Sequence, residues 1–236
     1  MVNNMTVSPS HLYSILHHNF GKQDWWPIDI EYHNKNNSDS RFEIIVGAIL
    51  TQNTAWRNVE KALNNLKTKK LLNLKKILKI DLESLKIMIQ PSGFFNQKAM
   101  RLKNFANFLN KKYSGNFDRL FDNNLLEIRN ELLSLNGIGK ETADSILLYA
   151  GNFPIFVIDS YTKRISKRIP VSANTKLYEA LRLFFENKLK EKYSEGELVN
   201  IYKELHSLIV ELAKNYCKNK PNCNNCVLSS RCLKII

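Results

Sequence analysis

Four cysteines, one aspartate and a pair of glycines are the residues of this chain whose types and spacing could do chemistry. The cysteines fall near the end as Cys217-x5-Cys223-x2-Cys226-x5-Cys232. A disulfide framework is usually spread over a fold, so thiols clustered in this way point to a metal site. Four thiolates can hold a 4Fe–4S cube or a zinc ion; zinc modules usually show two tight pairs, and here only the middle pair is tight. Asp159 ends the apolar strip Phe156-Val157-Ile158 and precedes Ser160-Tyr161-Thr162-Lys163-Arg164. A carboxylate there, read by itself, caps a helix. Gly137-Ile138-Gly139 follows the apolar stretch Leu125 to Leu135. Glycines let the backbone turn tightly and approach a ligand, and a helix starting beyond them offers amides to a phosphate. Such a turn also occurs in helical hairpins that bind nothing, with Ile138 as a core plug.

The elements that must position these residues read as helices almost throughout. Leu71, Leu74, Leu78, Leu82, Leu85 and Ile89 recur at steps of three and four, the mark of one amphipathic helix. Leu177, Leu181, Phe184 and Phe185 repeat the pattern, as do Leu198, Ile201, Leu205, Leu208 and Leu212. Convincing alternation of period two is absent, so the expected class is all-α. Polar and breaker clusters mark loops at 34–40, 91–93, 114–116 and 151–154.

The chain has 236 residues, 44% of them hydrophobic, enough for one large domain or two small ones with a real core. Its 35 basic and 22 acidic residues give a formal charge of +13, which favours a polyanionic partner. Nucleic acid comes first and an anionic membrane surface second, beside a plain compositional bias. The start is polar and lacks a signal-peptide core. The longest apolar run, Ile44 to Leu50, is far too short to span a bilayer. A cytoplasmic protein with no membrane partner is expected. The five histidines, His11, His17, His18, His33 and His206, suggest no catalytic group.

The combination Leu135-x-Gly-Ile-Gly-x-x-Thr142-Ala143, then Val157-Ile158-Asp159, then a basic helix is much more specific than either half. It resembles the HhH-GPD superfamily of DNA glycosylases, which includes endonuclease III, adenine glycosylases and alkylpurine glycosylases. The resemblance covers most of the chain. Residues 42–54, ending in Leu50-Thr51-Gln52-Asn53-Thr54, look like the family's opening barrel helix and its glutamine-bearing loop. Residues 92–99 look like the segment before the next helix, and 206–210 like the helix leading into the cluster.

This resemblance implies an all-α fold of two domains. A six-helix barrel carrying the helix–hairpin–helix would span 42–153. It would pack on a helical iron–sulfur domain built from the N-terminal segment, 1–41, and from 154–236. Asp159 would face the cleft between them, stabilising an oxocarbenium-like sugar or activating water as a flipped nucleotide loses its base. The implied partner is double-stranded DNA containing damaged bases, bound by a monomer. Gln52, Asn53, Gly137, Ile138, Gly139, Lys140, Thr142, Lys218 and Lys220 would contact it. The endonuclease III cluster has six, two and five residues between its cysteines, against five, two and five here, so the resemblance implies a 4Fe–4S cluster on Cys217, Cys223, Cys226 and Cys232.

Endonuclease III carries a lysine two residues after the second hairpin glycine, whose amine attacks C1′ and permits strand cleavage. Here that position is Glu141. Lys140 is one residue early, turned by ~100° on a helix. The change implies a monofunctional glycosylase that uses water, with Glu141 otherwise a simple first-turn carboxylate. This form, with Trp25-Trp26-Pro27 upstream, looks most like the endonuclease III-like 3-methyladenine glycosylases. Trp25, Trp26 and Trp56 are the chain's three tryptophans, either core residues or a platform for a flipped base. Two other readings stay open: a glycosylase and AP lyase acting on oxidised pyrimidines or mismatches, and a DNA-binding module without catalysis.

Overall fold

The structure, a computed structural model, describes residues 6–234. Thirteen α-helices run along them: α1 Pro9–Phe20, α2 Ile30–Asn36, α3 Ser40–Leu50, α4 Trp56–Thr68, α5 Leu74–Lys79, α6 Leu82–Ile89, α7 Phe95–Tyr113, α8 Phe117–Phe121, α9 Leu125–Ser134, α10 Lys140–Ser145, α11 Ser160–Arg168, α12 Tyr178–Lys190 and α13 Glu195–Asn215. A π-helical turn, Ile146–Ala150, continues α10. No strand occurs among the described residues, as the lack of period-two alternation implied. No helix among them is long and apolar enough to cross a membrane.

The chain folds into two compact units, one of residues 26–151 and the other of residues up to Trp25 together with those from Asn152 on. In the middle unit, α3 is buried from Phe42 to Leu50. A helix this apolar on all sides belongs at the centre of a core. Amphipathic α4 buries Val59, Ala62, Leu63 and Leu66, and α7 buries Leu102, Phe105 and Leu109. Residues 26–41, which the sequence grouped with the N-terminal segment, belong to this unit. The reason is a buried carboxylate. Glu43 accepts from the Asp29 amide at 3.0 Å, faces His33 Nε2 at 2.9 Å and pairs with Lys67 Nζ at 2.6 Å, tying α2 to α3 and α4. Lys98 on α7 is wholly buried. Its Nζ donates to the carbonyls of Leu50 at 2.7 Å, at the end of α3, and of Ser92 at 2.6 Å, in the turn before α7, satisfying oxygens that the ends of these elements leave unpaired.

The leucine stripe from 71 to 89 is two helices, not one. The Asp81 carboxylate accepts from the Ser84 amide at 2.8 Å and starts α6 afresh. The buried apolar residues there are Leu72, Leu74, Ile77, Leu85 and Ile89, so the face turns at the break.

In the terminal unit, α1 packs on α12 and α13, and α11 packs on α13. Phe156 stacks on Phe185 with centroids 4.7 Å apart and meets Tyr202 edge-on. Its amide donates to Glu186 Oε1 at 2.9 Å. These contacts fix the apolar strip that leads into Asp159. The stripe on α13 behaves as read, with Leu198, Leu205, Leu208 and Leu212 buried. On α12, Leu181 and Phe185 are buried while Leu177 is exposed.

Candidate active site

The terminal unit holds Asp159 at the start of α11, where it is 8% exposed. Its Oδ1 accepts from the Thr162 amide at 2.6 Å, so the carboxylate does cap the helix. Its Oδ2 lies 3.6 Å from Nε2 of His206 on α13. That separation is longer than a hydrogen bond, and it is an ion pair only while His206 is protonated. Burial is the largest single influence and pushes the carboxyl pKa up. The nearby His206 side chain, then the Thr162 amide and hydroxyl, together outweigh it and hold the group below its ordinary value. The site therefore keeps a buried carboxylate ionised, which suits it to stabilise a cation. Any stability that this ionised state contributes is present above the ordinary carboxylate range and is lost only as pH falls through the lowered value.

The sequence passed over His206. The signal available was its position between Leu205 and Leu208 on the buried face of α13, where it is 8% exposed. A histidine in such a stripe needs a partner, and no sequence pattern could name Asp159 across 47 residues. His17 and His18 are surface residues at the end of α1, and His33 serves Glu43.

The middle unit holds the hairpin between α9 and α10. Gly137 has φ +85, a conformation that favours glycine, and a Cβ there would lie 2.1 Å from Nε of Arg101. Arg101 NH1 in turn donates to Gln52 Oε1 at 2.5 Å, and Gln52 Nε2 donates to the Gly137 carbonyl at 2.9 Å and to Thr142 Oγ1 at 2.8 Å. Gln52 and the Thr142 hydroxyl, grouped by sequence with the DNA contacts, thus brace the hairpin from inside the unit. Arg101 completes that brace and was not anticipated. Ile138 is 4% exposed and plugs the turn. Asn53 is exposed in the loop after α3, with φ +54.

Gly139 differs from Gly137. It has φ −89, and a Cβ there meets nothing within 4 Å. It precedes α10, whose first backbone bond runs from the Ala143 amide to the Gly139 carbonyl at 2.9 Å and whose N-terminus no side chain caps. Gly139, Lys140 and Glu141 are all exposed. Nothing within the fold requires glycine at 139, which fits a position where an outside group comes close. Gly139→Leu is expected to keep the wild-type melting temperature and to weaken binding to damaged and undamaged duplexes alike, since phosphate contacts position without specifying sequence. Gly137→Ala is expected to lower the melting temperature as well, because Arg101 must leave the brace. Undiminished binding by Gly139→Leu would remove the hairpin from the interface.

Trp26 meets Trp56 edge-on at 5.3 Å and Tyr149 at 5.2 Å, and its ring packs so close to Gly47 that a Cβ there would come within 2.9 Å of it. The structure thus joins Trp26 and Trp56 and adds Tyr149, which the sequence did not flag. Trp25 is half-buried and belongs to the terminal unit.

Cys217, Cys223, Cys226 and Cys232 all line one small cavity in the terminal unit, with Arg168, Tyr216 and Pro221. Among the described residues no group of three or more metal-binding side chains meets the spacing of a single-ion site. Burial raises the thiol pKa of Cys226 and of Cys232, and the neighbouring cysteines raise both further. Four thiolates around one cavity would repel one another unless positive charge stood between them, so the donor set fits a cationic iron–sulfur group. Arg168 organises the loop. Its NH1 donates to Cys217 Sγ at 3.3 Å and to the Lys218 carbonyl at 2.7 Å, while the Cys232 thiol donates to the Arg168 carbonyl at 3.0 Å. Lys218 and Lys220 are exposed on that loop.

Comparison with known proteins gives the frame for these features. Residues 46–191 match the family model described as HhH-GPD superfamily base excision DNA repair protein. A protein of Methanocaldococcus jannaschii named as a DNA repair glycosylase is 46% identical over 224 residues, 94% of each chain. Endonuclease III of Thermotoga maritima is 30% identical over 196 residues, 81% of this chain and 82% of its own. The crystal structure of the H. pylori 3-methyladenine DNA glycosylase bound to 1,N6-ethenoadenine matches with a TM-score of 0.68 and 31% identity, covering 86% of this chain and 97% of that one. The chain belongs to the HhH-GPD superfamily of base excision DNA repair proteins, and it is a DNA glycosylase of that family.

Proposed function

We propose that this glycosylase is monofunctional, acts as a monomer on double-stranded DNA, and releases alkylated purines such as 3-methyladenine by hydrolysis. Two observations carry the reading: Asp159 is buried and ionised, and the position where a lyase of this family has its amine is a carboxylate, Glu141. Asp159 stabilises the cationic sugar as the glycosidic bond lengthens and orients the water that adds to C1′. The exposed start of α10, with Gly139 and Lys140, takes a phosphate. Asn53, Lys218 and Lys220 add contacts to the DNA backbone. The tryptophans, Trp26 and Trp56 above all, stack on the flipped base. A cationic alkylpurine is already a good leaving group, so such a pocket needs mainly stacking and cation–π attraction. The likeness to the H. pylori 3-methyladenine enzyme, at 31% identity, supports the same substrate class. Incubation with duplexes carrying alkylated, oxidised, deaminated and mismatched bases tests this. Alkylated purines should be released; excision of thymine glycol in their place would favour an endonuclease III-like activity.

The four cysteines are the residues that would hold a 4Fe–4S cluster, whose part is to bind the loop 217–232 into one body. Anaerobically purified protein is expected to contain about four irons per chain. One zinc and no iron would contradict this. Cys226→Ser should lower the melting temperature more than it lowers the base-release rate of the protein that stays folded.

A further inference from the structure

We infer that His206 is a positioning residue for base release, holding the Oδ2 oxygen of Asp159 in one place. The inference rests on Asp159 being the catalytic carboxylate.

A single hydrogen bond does not fix a carboxylate. The Thr162 amide holds Oδ1 at 2.6 Å, but rotation about the last side-chain torsion of aspartate is soft. Oδ2 can swing about that anchor unless a second element holds it. That element is α13, which packs on α11 and brings His206 Nε2 to 3.6 Å from Oδ2. Both side chains are about one-tenth exposed, at 10% and 11%, so water screens the contact little. Misplacing a reacting group by about 1 Å can cost ~10²-fold in rate.

The neighbouring charges are committed elsewhere. On α13, Glu204 accepts from the Gln23 amide at 2.5 Å and Lys203 donates to Asn152 at 2.5 Å. On α11, Arg164 donates to the Cys217 carbonyl at 2.8 Å and Lys163 lies over the Tyr178 ring at 5.5 Å. Helix α1, which also packs on α13, brings Tyr13 against Tyr193 and into the field of Glu204. His206 is the titratable group that α13 presents to Asp159.

The test measures single-turnover base release against pH, duplex affinity and melting temperature for wild type, Asp159→Asn, His206→Gln and His206→Leu. His206→Leu is expected to release base ~10²-fold more slowly at neutral pH with duplex affinity unchanged. Its acid limb should move up by roughly one pH unit, since removing a positive neighbour raises a carboxyl pKa. His206→Gln keeps a donor of similar reach without charge; it should recover much of the rate while its acid limb stays raised. If the leucine variant does not fold, the raised limb of the glutamine variant decides the matter. A wild-type rate and limb in the folded variants, or a loss of rate that merely tracks loss of folded protein with the limb unmoved, would overturn the inference. Wild-type release by Asp159→Asn would instead overturn the functional reading beneath it.

Discussion

Replacing Asp159 by asparagine is expected to slow base release by at least ~10²–10³-fold, the scale seen when a preorganised group aimed at developing charge is lost. The substitution isolates charge with unusual clarity. Asparagine caps helices about as well as aspartate, so its side-chain oxygen can still accept from the Thr162 amide that Asp159 Oδ1 now binds at 2.6 Å. Helix α11 should therefore keep its start and the protein its melting temperature. Duplex affinity should be unchanged or improved, because the lost interaction is made with the cationic transition state rather than with bound DNA. Measuring single-turnover release beside equilibrium binding at one salt concentration separates the two, since DNA affinity itself falls steeply with salt. A variant that binds poorly and still releases bases at the wild-type rate would show that Asp159 serves the fold and not the reaction.

The second large effect is all-or-none. Wild-type protein should form no covalent complex with damaged DNA under borohydride, because trapping needs a Schiff base from an amine at C1′, and position 141 carries a carboxylate. Lys140 is exposed beside it but points about 100° away around α10. Glu141→Lys should gain trapping, at low yield, because the lysine then stands where the family's lyases have theirs. Efficient trapping of the wild type would mean that another amine attacks the sugar, and the monofunctional reading would fall.

Much of this was legible in the residues, for reasons that are local. Two glycines around an isoleucine, four cysteines within sixteen residues and an aspartate closing an apolar strip are short-range patterns, and short-range patterns survive in sequence. The all-helical class was legible because buried faces recur every three or four residues. The leucine stripe misled because six leucines and isoleucines kept helical phase across Asp81, whose capping carboxylate restarts the helix. What stayed hidden is long-range. Gln52 is bonded to Gly137 and Thr142, some 85 to 90 residues away, a brace that no local pattern shows. Arg101 fills the space that makes Gly137 a glycine. His206 looked like one more residue of a helix until α13 carried it to Asp159. The sequence also treated both hairpin glycines alike, whereas one answers to backbone conformation and nothing within the fold requires the other.

The most direct test of hydrolysis at an ionised Asp159 is to follow free base and strand breaks together, from one duplex carrying a single 3-methyladenine and wild-type protein. Free 3-methyladenine should appear in step with abasic sites that remain unbroken until alkali is added. Strand breaks that keep pace with base release before alkali, or no release of the alkylated purine at all, would contradict the account.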